Sequence, residues 1–198
     1  DRVSEEEEIA RTIPVITELA KHGVTISIDT MRASIAEAAI KAGASIINDV
    51  SGGLSDSKML QTVARLQVPY IAMHWRGQSK DMNSKAIYGD VVNDVIAELN
   101  ERIEAALDAG IAKDKLIIDP GIGFAKDAEH NWAIIDAIDR FVALGYPVLV
   151  GASRKRFLGG DSPDEREAAT IELTKRLGTT GVWAVRVHSV KPHKEVLS

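Results

Sequence analysis

Leu116-Ile117-Ile118-Asp119-Pro120-Gly121-Ile122-Gly123-Phe124 is an apolar run that ends on a carboxylate and then turns sharply. The run shows no polar alternation, which is how a strand buried on both faces of a parallel sheet reads. Pro120 and Gly121 stop it, and the glycines let the following turn bring Phe124 back over the end of the strand. Five other runs have the same form: Val24–Ile28, Ser45–Val50, Pro69–Met73, Pro147–Val150 and Val182–Val187. Each is rich in Val or Ile and bounded by turn-forming residues, and each is followed by a helical pattern.

The helical stretches are Ala33–Lys41, Ser57–Leu66, Val91–Ala109, Ala128–Leu144 and Asp164–Leu177, with an earlier one over Ser4–Lys21 and a last one from about Lys191. Asp56 is placed to cap the second of these, and Glu5 to Glu8 complement the positive end of the first. Gly43, Gly110, Gly145 and Gly178 stand just past helix ends, which predicts left-handed caps. Strand–helix alternation at this spacing predicts right-handed βαβ crossovers and a parallel sheet. The expected class is α/β, a (β/α)8 TIM barrel over residues 1–198 as one partial domain. An open doubly wound sheet is the competing architecture, but no glycine-rich dinucleotide fingerprint follows any strand. Six strands fall two short of a barrel, and the chain opens on a helix after Asp1-Arg2-Val3-Ser4, without Met. The expectation is that two βα units, roughly 25–30 residues each, precede it.

Composition narrows the function classes. Of 198 residues, 45% are hydrophobic and 27% charged, the balance of a globular chain with an ample core. No apolar run approaches the ~18 residues of a membrane helix. Cysteine is absent, which removes disulfides, thiolate metal sites and Cys nucleophiles and fits a cytoplasmic location. A net charge of −5 gives no footing for nucleic acid or a membrane surface.

Polar residues fall at the C-terminal end of all six strands: Asp29 with Thr30, Asn48 with Asp49, His74, Asp119, Ser153-Arg154-Lys155, and Arg186 with His188. In a parallel architecture those ends form the ligand face. Any one alone is usually a turn or helix cap; six together point to a site. The first four strands supply carboxylates, an amide and a His, which suit a flat heterocycle with N–H donors. The last two supply cations where a strand is expected to pass into a helix, which suits phosphate or diphosphate. Strand register places Arg186 and His188 on one side, and sets Asn48 inward with Asp49 in a structural role. His22, His130 and His193 read as surface residues, Met31, Met59 and Met82 as packing or loop residues, and Trp132 and Trp183 as core or interface.

Taken together, Ile28-Asp29-Thr30, Ile47-Asn48-Asp49-Val50-Ser51-Gly52-Gly53, Met73-His74, Asp119-Pro120-Gly121-Ile122-Gly123-Phe124, Gly151-Ala152-Ser153-Arg154-Lys155-Arg156-Phe157 and Arg186-Val187-His188 resemble the dihydropteroate synthases, pterin-binding barrels of the folate pathway. The resemblance implies condensation of 6-hydroxymethyl-7,8-dihydropterin diphosphate with 4-aminobenzoate, releasing diphosphate, with Mg²⁺ as cofactor on the diphosphate. It implies that Asp119, Asn48 and Lys155 hydrogen-bond the pterin, that Asp29 lies near its reacting edge and that Met73 packs on the ring. Arg186 and His188 would hold the diphosphate. Phe124, Lys155 and the backbone at Arg156 would border the aminobenzoate, with Phe124 also beside the pterin. Asp29, Lys155, Arg186 and His188 would form the catalytic set. It further implies a cytoplasmic homodimer.

The family's first two strands are not in this chain. With them are absent the Asn-bearing loop that helps to bind metal, so no metal ligand is expected here, and the Ser-Thr-Arg-Pro loop over aminobenzoate. Ser189 stands where the family usually has Asp, and Arg156 where many relatives have Ser. Phe157-Leu158-Gly159-Gly160 also leaves little length for a helix starting at Ser153. Two other readings compete: a pterin-binding methyltransferase of the methyltetrahydrofolate type, and a non-catalytic barrel acting as a partner subunit. The Ser153-Arg154-Lys155 and Arg186/His188 cations favour a diphosphate leaving group over methyl transfer.

Overall fold

The computed structural model describes residues 3–78 and 82–198, with the side chains of Met82 and Asn83 excepted. Asp1 and Arg2 of the opening segment, and the side chain of Met82, therefore lie outside the described residues. Chain contacts divide the molecule into two compact units, Asp1–Met73 with Glu101–Ile117, and His74–Asn100 with Ile118–Ser198.

The first unit contains α1 (Glu5–Ala20), β1 (Ser27–Asp29), α2 (Ala33–Ala42), β2 (Ile46–Asp49), α3 (Met59–Leu66) and β3 (Tyr70–Met73). The Ser4 hydroxyl caps α1 by accepting from the Glu7 N–H at 3.2 Å, followed by the four-glutamate turn. β1 and β2 pair in parallel with Asp29 opposite Asn48, and β2 and β3 with Asn48 opposite Ile71. Ile35, Ile47, Met59, Val63 and Tyr70 are fully buried beneath this sheet and its helices. Asp56 is not the cap of α3 that its position predicts: the helix begins later, at Met59, with Lys58 at its N-cap and no side-chain cap, and Asp56 accepts from Lys58 N–H at 2.9 Å in the preceding turn. Its second oxygen accepts from Ala33 N–H at 2.8 Å and so serves α2, whose own N-cap position is Arg32 without a side-chain cap.

The second unit contains the beginning of α4 (Val91–Asp108), the end of β4 (Leu116–Asp119), then α5 (Ala128–Asp136), α6 (Ile138–Val142), β5 (Leu149–Val150), α7 (Glu167–Leu177), β6 (Ala184–Val185) and α8 (Val190–Glu195). β5 and β6 pair in parallel, and Ile118 bridges in parallel to Val148. Asp127 caps α5 by accepting from His130 N–H at 2.8 Å.

Several expectations change. All six strands are present, and all but β4 are shorter than their apolar runs. The helix expected over Ala128–Leu144 breaks at Ala137, whose φ of −106° and ψ of 24° separate α5 from α6. No α-helix starts at Ser153: a single 3-10 turn, Arg156–Leu158, occupies that segment, and α7 begins only at Glu167. Gly43, Gly110 and Gly145 take the expected positive φ, whereas Gly178 does not, at φ −58°. A Cβ there would lie 2.5 Å from the end of the half-exposed Leu197 side chain, which can turn aside. Gln67 caps α3 in the left-handed region, a position with no glycine to signal it. His193 is buried rather than on the surface, and Trp132 and Trp183 are exposed rather than core. His22 is exposed and Met59 is core, as read.

Candidate functional site

In the first unit the parallel register decides what the strand ends present. Asp29 and Asn48 are row partners, so their side chains lie on one side, and Asn48 Nδ2 donates to Asp29 Oδ2 at 3.2 Å. Asn48 Oδ1 is buried and has no hydrogen-bond partner among the described residues. A buried carbonyl acceptor without a donor costs stability unless a ligand N–H or water meets it. Asp49 has the structural role expected: Oδ1 accepts from Ser51 N–H and Oγ–H at 2.9 and 2.7 Å, and Oδ2 from Gly53 N–H and Tyr70 O–H at 2.8 and 2.9 Å. Burial, reinforced by Asp49, pushes the Tyr70 phenol well above its usual range. Met73, ending β3, is buried.

In the second unit Asp119 ends β4 and is buried. Its Oδ1 accepts from Gly121 N–H at 2.7 Å, so the carboxylate itself shapes the turn that follows. Gly121 sits at φ 69°, and a Cβ there would overlap the His74 carbonyl oxygen; both facts require glycine. Burial pushes the Asp119 carboxyl up, opposed by the Gly121 N–H and by the charges of Lys155, Lys126 and Arg186. The turn carries Phe124 back as read, and Lys155 Nζ lies 4.4 Å from the Phe124 ring centroid, a cation–π arrangement. Lys155 Nζ also donates to the Ile122 carbonyl. Burial lowers its ammonium to about 8, with Asp119 working against that shift and Arg186 adding to it. Beside these residues opens a cavity of about 750 Å³, whose lining includes Phe124, Lys126, Arg154, Lys155, Arg156 and Arg166.

The expected helix N-terminus beside these cations is absent, because the 3-10 turn supplies too few aligned N–H groups to act as one. Arg156 is exposed at the head of that turn. Arg186 and His188 are exposed, and β6 ends at Val185, so strand alternation does not align them. Arg186 N–H continues the ladder by one bond, to the Val150 carbonyl at 3.0 Å. His188 is instead held by Ser153, whose Oγ accepts from His188 N–H at 3.2 Å and meets Nδ1 at 2.8 Å.

His74 belongs to a buried relay rather than to a ligand-facing row. Its Nε2 meets Glu98 Oε2 and its Nδ1 meets Lys126 Nζ, both at 2.9 Å. Charged Lys126 has no lone pair and can only donate, so facing it Nδ1 is the acceptor and Nε2–H faces Glu98. Burial, then Lys126, lowers the imidazole to about 4. Lys126 Nζ also donates to the Gly121 and Phe124 carbonyls at 3.1 Å each, which fastens both ends of the turn. Burial lowers Lys126 to about 7. Glu98 further pairs with Arg76 Nε at 3.1 Å, and Arg76 stacks 3.8 Å from the Tyr88 ring centroid. Lys126, Glu98 and Arg76 were not among the sequence candidates. The available signal was Lys126 standing two residues beyond Phe124 in the same turn.

Comparison with known proteins accords with this chemistry. Residues 1–188 match the family described as pterin binding enzyme. A dihydropteroate synthase of Mycobacterium leprae is 46% identical over 200 residues, covering 96% of this chain and 70% of that protein. A dihydropteroate synthase structure from Stenotrophomonas maltophilia, with imidazole in its active site, aligns at TM-score 0.95 and 42% identity over 98% of this chain and 75% of that one. The Xanthomonas albilineans dihydropteroate synthase with 4-aminobenzoic acid aligns at TM-score 0.93 and 39% identity, covering all of this chain and 71% of that one. These likenesses make the fold class α/β, a (β/α)8 barrel type, as the strand–helix alternation predicts. The chain belongs to the dihydropteroate synthases of the pterin-binding enzyme family.

Proposed function

We propose that this chain condenses 6-hydroxymethyl-7,8-dihydropterin diphosphate with 4-aminobenzoate, and that its residues divide the work by charge. The observation that carries this reading is the second unit's buried Asp119, with Lys155 and Arg186 as its charged neighbours, beside a cavity bordered by Phe124. In the reaction the methylene C–O bond breaks, a C–N bond to the arylamine forms, and the amine releases a proton. Breaking C–O builds positive charge on the pterin methylene and negative charge on the departing diphosphate. Fixed carboxylates near the first and fixed cations near the second stabilise that separation without reorganisation.

Asp119 accepts from the pterin's ring donors. Lys155 bonds the pterin and, with Phe124 and the Arg156 backbone, borders the aminobenzoate. Arg186 and His188 hold the diphosphate, His188 being oriented by Ser153. From the first unit, Asn48 offers its unpartnered Oδ1 to a pterin N–H, Met73 packs on the ring, and Asp29 acts near the reacting edge. Mg²⁺ would neutralise diphosphate charge when bound. Among the described residues no three His, Cys, Asp or Glu side chains group to hold a metal. A cytoplasmic homodimer completes the proposal; no helix among the described residues is long and apolar enough to cross a membrane.

The test uses the full-length protein. Diphosphate release that depends on aminobenzoate is expected, and aminobenzoate should bind more tightly when diphosphate and Mg²⁺ are present. Arg186→Ala should abolish that coupling while a plain pterin still binds. Pterin binding without aminobenzoate-dependent release would favour the non-catalytic reading, and methyl transfer to a corrinoid acceptor would favour the methyltransferase.

A further inference from the structure

Arg154 lies between two residues of the proposed site, Ser153, which holds His188, and Lys155. Its backbone is in the left-handed region, at φ 58°, where a branched-free but bulky side chain stays only if its surroundings hold it. Four contacts do so. Its N–H donates to Thr170 Oγ1 at 3.2 Å, its Nε to Glu167 Oε2 at 2.9 Å and its Nη2 to Ser189 Oγ at 3.1 Å. Its Nη1 lies 3.6 Å from Asp164, which is fully in solvent and so contributes little. Glu167 is thus the one carboxylate among these contacts that is sheltered from solvent.

Behind it stands a second layer. Glu167 Oε1 faces His193 Nε2 at 3.5 Å, and His193, itself buried, meets Thr174 Oγ1 through Nδ1 at 2.7 Å. Neither Glu167 Oε1 nor His193 Nε2 has a hydrogen-bond partner among the described residues. His193 therefore walls the carboxylate in and leaves Arg154 as its strong partner. Arg154, then the Ser189 hydroxyl, hold the Glu167 carboxyl below its usual range.

We propose that Glu167 is a positioning residue of the condensation: acting through Arg154, it supplies from α7 the negative charge that Ser189 does not, and so fixes Lys155 and His188 for substrate. A charge-assisted bond is about twice as strong as a neutral one, so a serine hydroxyl alone cannot hold the guanidinium equally well. The inference rests on the proposed reaction.

The experiment compares steady-state kinetics and melting temperature of the full-length protein, Glu167→Gln, and Glu167→Gln with Ser189→Asp. Gln keeps the shape and an acceptor oxygen, so the single variant should fold. Its KM for the pterin diphosphate should rise and kcat/KM fall on the order of ten- to hundred-fold, the cost of small misplacement at a reacting centre. The second substitution moves a carboxylate to the other side of the same guanidinium and should restore kcat/KM. A merely structural Glu167 would lower the melting temperature and the active fraction but leave the KM of folded protein unchanged, which overturns the inference. A folded double variant that stays as impaired as the single one also overturns it. Parent protein without aminobenzoate-dependent turnover overturns instead the proposed reaction on which the inference depends.

Discussion

Replacing Asp119 by Ala separates what this carboxylate does for the fold from what it does for a ligand. In the free protein the change removes the acceptor of Gly121 N–H, a 2.7 Å bond. A buried amide left unpaired costs about 1–3 kcal/mol. The offset is that burial disfavours the ionised carboxyl, which is pushed above its usual range, so removing it also relieves a penalty. Net stability should therefore change by less than the lost bond alone. Binding has no such offset. Pterin donors would be drawn out of water onto a methyl group, at about 2–4 kcal/mol, or roughly 30- to 700-fold in Kd. Titration calorimetry with a pterin lacking the diphosphate, run beside a melting curve on the same sample, measures both quantities. Asp119→Asn sharpens the result, because its carbonyl can still serve Gly121 while its amide presents a donor to donors. It should bind no better than Ala. Unchanged pterin affinity in folded Asp119→Ala, or full affinity in Asp119→Asn, would refute the role assigned to this side chain.

Two further outcomes concern the scaffold. Gly121→Ala combines a positive φ with overlap on the His74 carbonyl, so urea unfolding should show a loss of about 2–5 kcal/mol; a loss under 1 kcal/mol, by the same scale, would mean the turn relaxes easily. His74 titrates at about 4 in the fold against 6.5 as the ordinary value, so below pH 6.5 the unfolded chain takes up a proton that the native one refuses. The His74 contribution to stability should fall by up to about 3 kcal/mol between those two pH values and level off below the lower one. Glu98, lowered to about 2 by His74 and Arg76 against its own burial, then loses its contribution as pH drops further from 4.5. Denaturation midpoints that stay flat between pH 7 and 4 would remove the relay from the stability of this unit.

What the sequence determined by itself was the identity of the strands and the chemistry at their ends. An apolar run stopped by Asp-Pro-Gly is a local pattern, and Leu116–Asp119 forms the strand and turn it describes because the carboxylate and the glycine act within three residues of each other. Asp49 as a structural anchor beside Asn48 follows in the same way from period-two alternation, whereas the contact of Asn48 with Asp29 is set by the pairing register of two strands. Contacts between residues distant in the chain followed no such rule. His193 looks like a surface helix residue until Thr174 and Glu167 close over it, 19 and 26 positions away by numbering. Lys126 looks like a solvated cation until His74 and two turn carbonyls take all three of its protons. Gly178 promised a left-handed cap, but its backbone is right-handed, at φ −58°. Backbone periodicity is set within a few residues and can be read from them; burial and pairing of a charged side chain depend on which distant groups arrive beside it, and only tertiary packing decides that.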